Sequence, residues 1–222
     1  TRTPRFPNGL ANSSGELGRN LMDHHMGVNS FAYSDDFKDR YYSGVRPNGI
    51  YIPRLRNLDR ASRTDRFVRG FAYQGTSQRV GWSQGTYVSG VGVAHKERLH
   101  SDPGTWQMDL WGYGECIHEP SNQVKLTDRK DEWGLPILEI DADWGPNERA
   151  MRLDMVESAR EMMEACGFGD VRVEDDLEGN PPGFAIHEMG TARMGRDPRT
   201  SVLNGWNQAH DIPNLFVTDG AC

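Results

Sequence analysis

Gln107-Met108-Asp109-Leu110-Trp111-Gly112-Tyr113-Gly114-Glu115-Cys116-Ile117-His118 separates small from large side chains with a period of two. Met108, Leu110, Gly112, Gly114 and Cys116 fall on one parity, and Asp109, Trp111, Tyr113, Glu115 and Ile117 on the other. Successive side chains of a strand point to opposite faces, so this pattern predicts a strand with one small face and one large. Glycine weakens a strand but lets a backbone, a side chain or a ligand come close. Two readings of the small face are open: it floors a cavity, or it packs densely against a neighbouring element.

Outward from this strand the period recurs in Phe67-Val68-Arg69-Gly70-Phe71-Ala72-Tyr73 and from His25 to Tyr33. Leu135 to Ile140, Val171-Arg172-Val173 and Asn214 to Thr218 read as shorter strands. Pro146 opens the longest helix, which runs to about Cys166 and stops at Gly167. Proline suits a first helical turn because its missing N–H has no partner there, and glycine suits the left-handed residue after the last turn. Met151, Met155, Ala159, Met162, Met163 and Cys166 recur at spacings of three and four, an apolar stripe for the core, with Arg152, Glu157, Arg160, Glu161 and Glu164 outside. The Gly-, Asn- and Ser-rich stretch from Pro7 to Asp23 reads as loop with a short helical turn around Leu17 to Met22. Several strands and one long helix predict an α+β fold, a largely antiparallel sheet backed by helices.

With 222 residues, 36% hydrophobic and 26% charged, the chain can bury a sizeable core. A net charge of -7 and dispersed arginines give no footprint for nucleic acid, which leaves a small molecule as the expected partner. Cys116, Cys166 and Cys222 are far apart and odd in number, so neither a disulfide framework nor a thiolate metal cluster is expected. No apolar run has membrane-spanning length. The chain opens Thr1-Arg2-Thr3-Pro4 and closes on Asp219-Gly220-Ala221-Cys222 directly after an apolar run, which reads as a segment of a longer protein.

The densest unusual stretch is Ile186-His187-Glu188-Met189-Gly190-Thr191-Ala192-Arg193-Met194-Gly195. Its glycines let backbone N–H groups approach a ligand, and a histidine titrates near neutrality, so His187 is a candidate acid/base residue. From the residue types alone, a hydrogen-bonded core role is the commoner one for such a histidine. Asp23-His24-His25 with His95, His100, His118 and His210 offers metal-ligand chemistry, but no His-x-x-x-His pair falls on a predicted helix, so no metal site is expected. Gly81-Trp82-Ser83-Gln84-Gly85 stands in a loop and only approaches a hydrolase nucleophile elbow. Trp106, Trp111 and Tyr113 suit a sugar-stacking face or, more plainly, the core.

The stretch from His187 to Gly195, followed by Val217-Thr218-Asp219-Gly220-Ala221, resembles the C-terminal signature of the glucose-methanol-choline (GMC) oxidoreductases, above all the branch with pyranose oxidases. Leu17-Gly18-Arg19-Asn20-Leu21-Met22-Asp23-His24 resembles the family's crossover from its FAD domain to its substrate domain. Trp133-Gly134-Leu135-Pro136 through Trp144 resembles its substrate-domain hairpin. The resemblance implies three parts: residues 1–24 as the crossover, 25–185 as the substrate-binding domain, and 186–222 as a catalytic segment returning to an FAD domain. It implies FAD as cofactor, a sugar, glycoside or other alcohol as substrate, and His187 as the residue that takes the hydroxyl proton while hydride leaves for the flavin. Asp219, Gly220 and Ala221 would lie against the FAD. Asn20 and Asp23 would hold the crossover loop through bonds to backbone.

Two departures accompany the resemblance. The dinucleotide fingerprint Gly-x-Gly-x-x-Gly is absent, since Gly90-Val91-Gly92, Gly112-Tyr113-Gly114 and Gly167-Phe168-Gly169 each lack the third glycine. The family's second active-site residue, histidine or asparagine, falls beyond Cys222, with asparagine expected from the pyranose-oxidase branch. A catalytically silent domain that binds a carbohydrate or a partner is the rival expectation from another class.

Overall fold

The structure is a computed structural model that describes residues 2–36 and 49–222. Its contacts divide the chain into two compact units: Met26–Gly114 with Ala150–Asp176, and Thr1–His25 with Glu115–Arg149 and Leu177–Cys222. The elements are mixed α+β, as the periodicities predict.

The first unit is built on a five-stranded sheet. Its strands are β1 (His25–Ser34), β2 (Gly49–Ile52), β3 (Phe71–Arg79), β4 (Trp106–Gly114) and β7 (Arg172–Asp175), in the order β2-β3-β4-β1-β7. The pairs β2–β3, β3–β4 and β1–β7 are antiparallel. A 3-10 turn (Gly81–Thr86) and α1 (Gly92–Ser101) join β3 to β4. Helix α2 (Pro146–Ala165) supplies the apolar cover: Met151, Met155, Ala159 and Met163 are fully buried with Val28, Ala32, Phe71, Tyr73 and Leu110. Tyr73 donates its hydroxyl to the Met155 carbonyl at 2.5 Å.

The small face of β4 is the face that meets α2. A Cβ at Gly112 would collide with Met155 Sδ, so dense packing, not a cavity floor, is what this glycine serves. Trp111 on the other parity is 47% exposed, which corrects its expected place in the core. Arg152 is a second correction: placed outside by the helical stripe, it is buried. Its guanidinium donates to the Met26 carbonyl at 2.7 Å and the Gly27 carbonyl at 2.9 Å, and pairs with Asp175. A charge so paired tolerates burial that an isolated one would not. Asp154, also buried, is held by Arg56 at 2.7 Å and Arg66 at 2.9 Å.

Strand β3 starts at Phe71, not Phe67, because Arg69 has φ 71° and the Asn57 amide grips the carbonyls of Phe67 and Arg69. Left-handed backbone at a non-glycine residue does not continue a strand.

The second unit has one regular hairpin, β5 (Gln123–Lys130) with β6 (Pro136–Asp141), antiparallel and irregular between Leu126 and Lys130. The rest is turns and isolated bridges. The helical turn expected around Leu17 to Met22 is instead irregular chain with bridges at Arg19 and Met22, and Asn20 there has φ 63°. Asn214 to Thr218 is not a strand; only Phe216 bridges, to Gln208. A small core of Ala11, Ala192, Val202, Leu203 and Ala209 lies among these loops.

Candidate functional site

Residues 20–24, 187–192 and 219–222 run side by side in the second unit. Met22 and Met189 exchange both backbone hydrogen bonds at 2.9 Å, one antiparallel bridge. On the far side of the middle segment, Gly190 donates to the Gly220 carbonyl at 3.3 Å and Ala192 to the Ala221 carbonyl at 2.6 Å. The segments whose motifs stood out are thus one irregular three-segment ladder. Two glycines permit it. A Cβ on Gly190, at φ 90°, would strike the Asn20 carbonyl, and one on Gly220 would stand 2.8 Å from the Glu188 carbonyl oxygen.

The bridge sets the side chains. Two residues on from Met22 and two back from Met189, His24 and His187 come opposite each other on one face, as alternation along paired strands requires. Their ring centroids are 4.7 Å apart and their planes stand at 83°, an edge-to-face contact. His187 is exposed, which removes the reading of it as a core histidine. The residue before it, Ile186, has φ 59° and is exposed. A β-branched residue in the left-handed region is an outlier, and such strain clusters at functional sites.

Asp23 ties together the segments that carry the two rings. It is buried, and its carboxylate accepts from the amides of Gly183 at 3.0 Å and Ala185 at 2.8 Å with one oxygen, and from the His24 amide at 2.7 Å with the other. Its own carbonyl accepts the Cys116 thiol proton at 2.7 Å. The bond network expected of Asp23 is therefore present. Asn20 differs: its amide donates to the Glu16 carboxylate at 2.8 Å, a side chain and not backbone.

Burial holds His24 below the ordinary histidine pKa, the positive charge that His187 can carry pushes the same way, and the Asp23 carboxylate opposes both. Burial also pushes the Cys116 thiol up to about 12. Beside these groups a cavity of about 10 Å³, room for one water, is lined by Asp23, Cys116, Asn122, Trp144 and Glu148 among others.

Asp219 and Gly220 are exposed at the outer edge of the ladder. The Asp219 carboxylate accepts from the Ala221 amide at 3.0 Å, closing the turn. Gly220 and Ala221 add little side chain to this edge, which is compatible with the backbone contact to FAD that the sequence resemblance implies. Among the described residues, no group of three or more His, Cys, Asp or Glu is arranged to hold a metal ion, and no helix is long and apolar enough to cross a membrane. His24 entered the sequence reading as the end of the crossover stretch and as a metal ligand, not as a neighbour of His187. Its facing of His187 depends on a register between segments far apart in the chain, for which no local signal exists.

Residues 118–222 match the family described as GMC oxidoreductase. A 2-methyl-1,2-propanediol dehydrogenase of Mycolicibacterium austroafricanum is 34% identical over 97% of this chain and 39% of its own length. The fructose dehydrogenase large subunit of Gluconobacter japonicus is 29% identical over 98% of the chain and 38% of its own length. A paromamine 6'-oxidase of Streptomyces fradiae is 33% identical over 45% of the chain and 18% of its own length. The chain therefore spans about two fifths of the first two relatives. Residues 118–222 thus belong to the GMC oxidoreductase family, and the alignments to two dehydrogenases run nearly the whole length of this chain.

Proposed function

We propose that this chain forms the substrate-side part of an FAD-dependent oxidoreductase that oxidises a CH–OH group of a sugar or other alcohol, with His187 as the acid/base residue. The observation that carries the reading is the ladder. It presents His187 to solvent between two histidine-independent supports, the Asp23 clamp on one side and the Gly220–Ala221 edge on the other. In this reading residues 1–24 and 186–222 face an FAD-binding part, and 25–185 contribute the substrate side.

The chemistry that FAD supplies when bound is acceptance of the carbon-bound hydrogen as hydride. The chain's own task is the proton. An alcohol gives up hydride readily only as its hydroxyl becomes alkoxide-like, and an imidazole nitrogen of His187 that takes the hydroxyl proton contributes roughly 10²–10⁴-fold in rate. Exposure of the ring lets a substrate reach it, and the clamp at Gly183 and Ala185 limits how far the segment carrying it can move. Asp219, Gly220 and Ala221 offer backbone to the cofactor without side-chain bulk.

The test is stopped-flow anaerobic flavin reduction in the flavoprotein that carries this chain, with a donor chosen from a screen that includes 2-methyl-1,2-propanediol and fructose. His187→Ala is expected to slow reduction by at least about 100-fold. Reduction at the wild-type rate overturns the assignment of His187.

A further inference from the structure

We propose that His24 is a positioning residue for His187: its ring, carried on the neighbouring segment of the same ladder, fixes the His187 imidazole edge-on and leaves His187 as the member of the pair that takes the substrate proton. The inference deepens the reading of His187 as the base and rests on it.

Three observations meet at this pair. First, the placement is enforced by backbone. The reciprocal Met22–Met189 bonds set a register in which His24 and His187 must face each other, and the ring planes stand nearly perpendicular at 4.7 Å. Second, one buried carboxylate orients both partners. Asp23 holds the His24 amide with one oxygen and, with the other, the amides of Gly183 and Ala185, which lead directly into Ile186 and His187. Third, the two rings have unlike surroundings, His24 half-buried and His187 exposed.

Among the charged groups that act on His24 are Asp23 on its own segment and His187 from the facing one. Burial and the like charge both disfavour a cationic His24, so near neutrality it presents a neutral ring. Here the substrate's hydroxyl proton goes to His187, and the neutral His24 ring, by its edge-to-face contact, keeps that imidazole from turning away.

The experiment compares His24→Ala and His24→Phe in the same flavoprotein, with the donor selected in the screen, and follows His24 by histidine-labelled NMR titration in the wild type and in His187→Gln. In His24→Ala the flavin-reduction rate is expected to fall about tenfold while the half-saturating donor concentration changes less than about threefold, since a positioning effect is smaller than loss of the base. His24→Phe keeps an uncharged ring in place and is expected to restore most of the rate, which a cavity-filling aliphatic side chain, His24→Leu, is not. The His24 titration midpoint is expected below that of a surface histidine, and to rise in His187→Gln. A wild-type rate in His24→Ala, equal rescue by Leu and Phe, or a His24 midpoint unmoved by His187→Gln overturns the inference while His187 stands as base. Normal flavin reduction in His187→Gln overturns the base reading and this inference with it.

Discussion

Met151, Met155, Ala159 and Met163 disappear completely against Val28, Phe71, Tyr73 and Leu110 in one unit, whereas the other has a core in which three of five buried members are alanine. What the second unit lacks in apolar burial it makes up with polar side chains that close loops on backbone. Asn122 exchanges two bonds with the Asp143 backbone at 3.0 and 3.1 Å, Asn207 donates to the Val217 carbonyl at 2.9 Å, and Asp23 holds three amides. Irregular backbone has amides and carbonyls that no sheet or helix satisfies, so each needs a partner of its own. The same irregularity frees the chain to bring a histidine, a glycine edge and a strained residue to one surface. Regular packing makes the scaffold, and side-chain to backbone bonding makes the site.

The sharpest way to break this contrast is Met155→Ala. It removes a fully buried side chain that fills the space above Gly112, and is expected to cost about 2–5 kcal/mol. Urea unfolding followed by tryptophan fluorescence measures it, and an unchanged midpoint means that the methionine stripe does not hold the sheet unit. Asp23→Ala probes the opposite mechanism and is expected to cost less, about 1–3 kcal/mol, the penalty for amides left without a partner. Its diagnostic is local. Hydrogen exchange at Gly183 and Ala185 should speed up while β3 and β4 amides stay protected, and uniform protection across all of them would deny Asp23 its role as clamp.

The smallest effect concerns thiols. Cys166 is exposed, whereas the Cys116 thiol is half-buried, bonded to the Asp23 carbonyl and pushed by burial up to about 12. A raised thiol pKa leaves little thiolate at pH 8, so iodoacetamide should modify Cys166 in the native protein and reach Cys116 only after unfolding. Equal labelling rates would show that the interior of the site unit opens readily.

Where a periodic pattern runs through a long element, the element forms close to where the pattern predicts it. The helix from Pro146 ends one residue before the expected Cys166, β1 lies where alternation put it, and β4 stops at Gly114, four residues short of the expected His118. Local chemistry of one residue moved other boundaries: Arg69 in left-handed backbone delayed β3, and Asn20 in the same conformation replaced a helical turn by a crossing of loops. Arg152 defeated the helical stripe because a guanidinium with two carbonyls and a carboxylate can lie inside.

For the site the division is similar. Composition and motif singled out His187, Asp219, Gly220 and Ala221 but read the glycines as room for a ligand; in the structure the missing Cβ lets Gly190 and Gly220 come close to neighbouring carbonyls. Nothing along the chain pairs His24 with His187, or Asp23 with the amides of Gly183 and Ala185, because these contacts join residues about 160 positions apart. Periodicity and glycine placement are local and survive in one dimension. Which segments lie side by side, which ring faces which and which histidine is half-buried are settled only when long-range backbone bonds set a register.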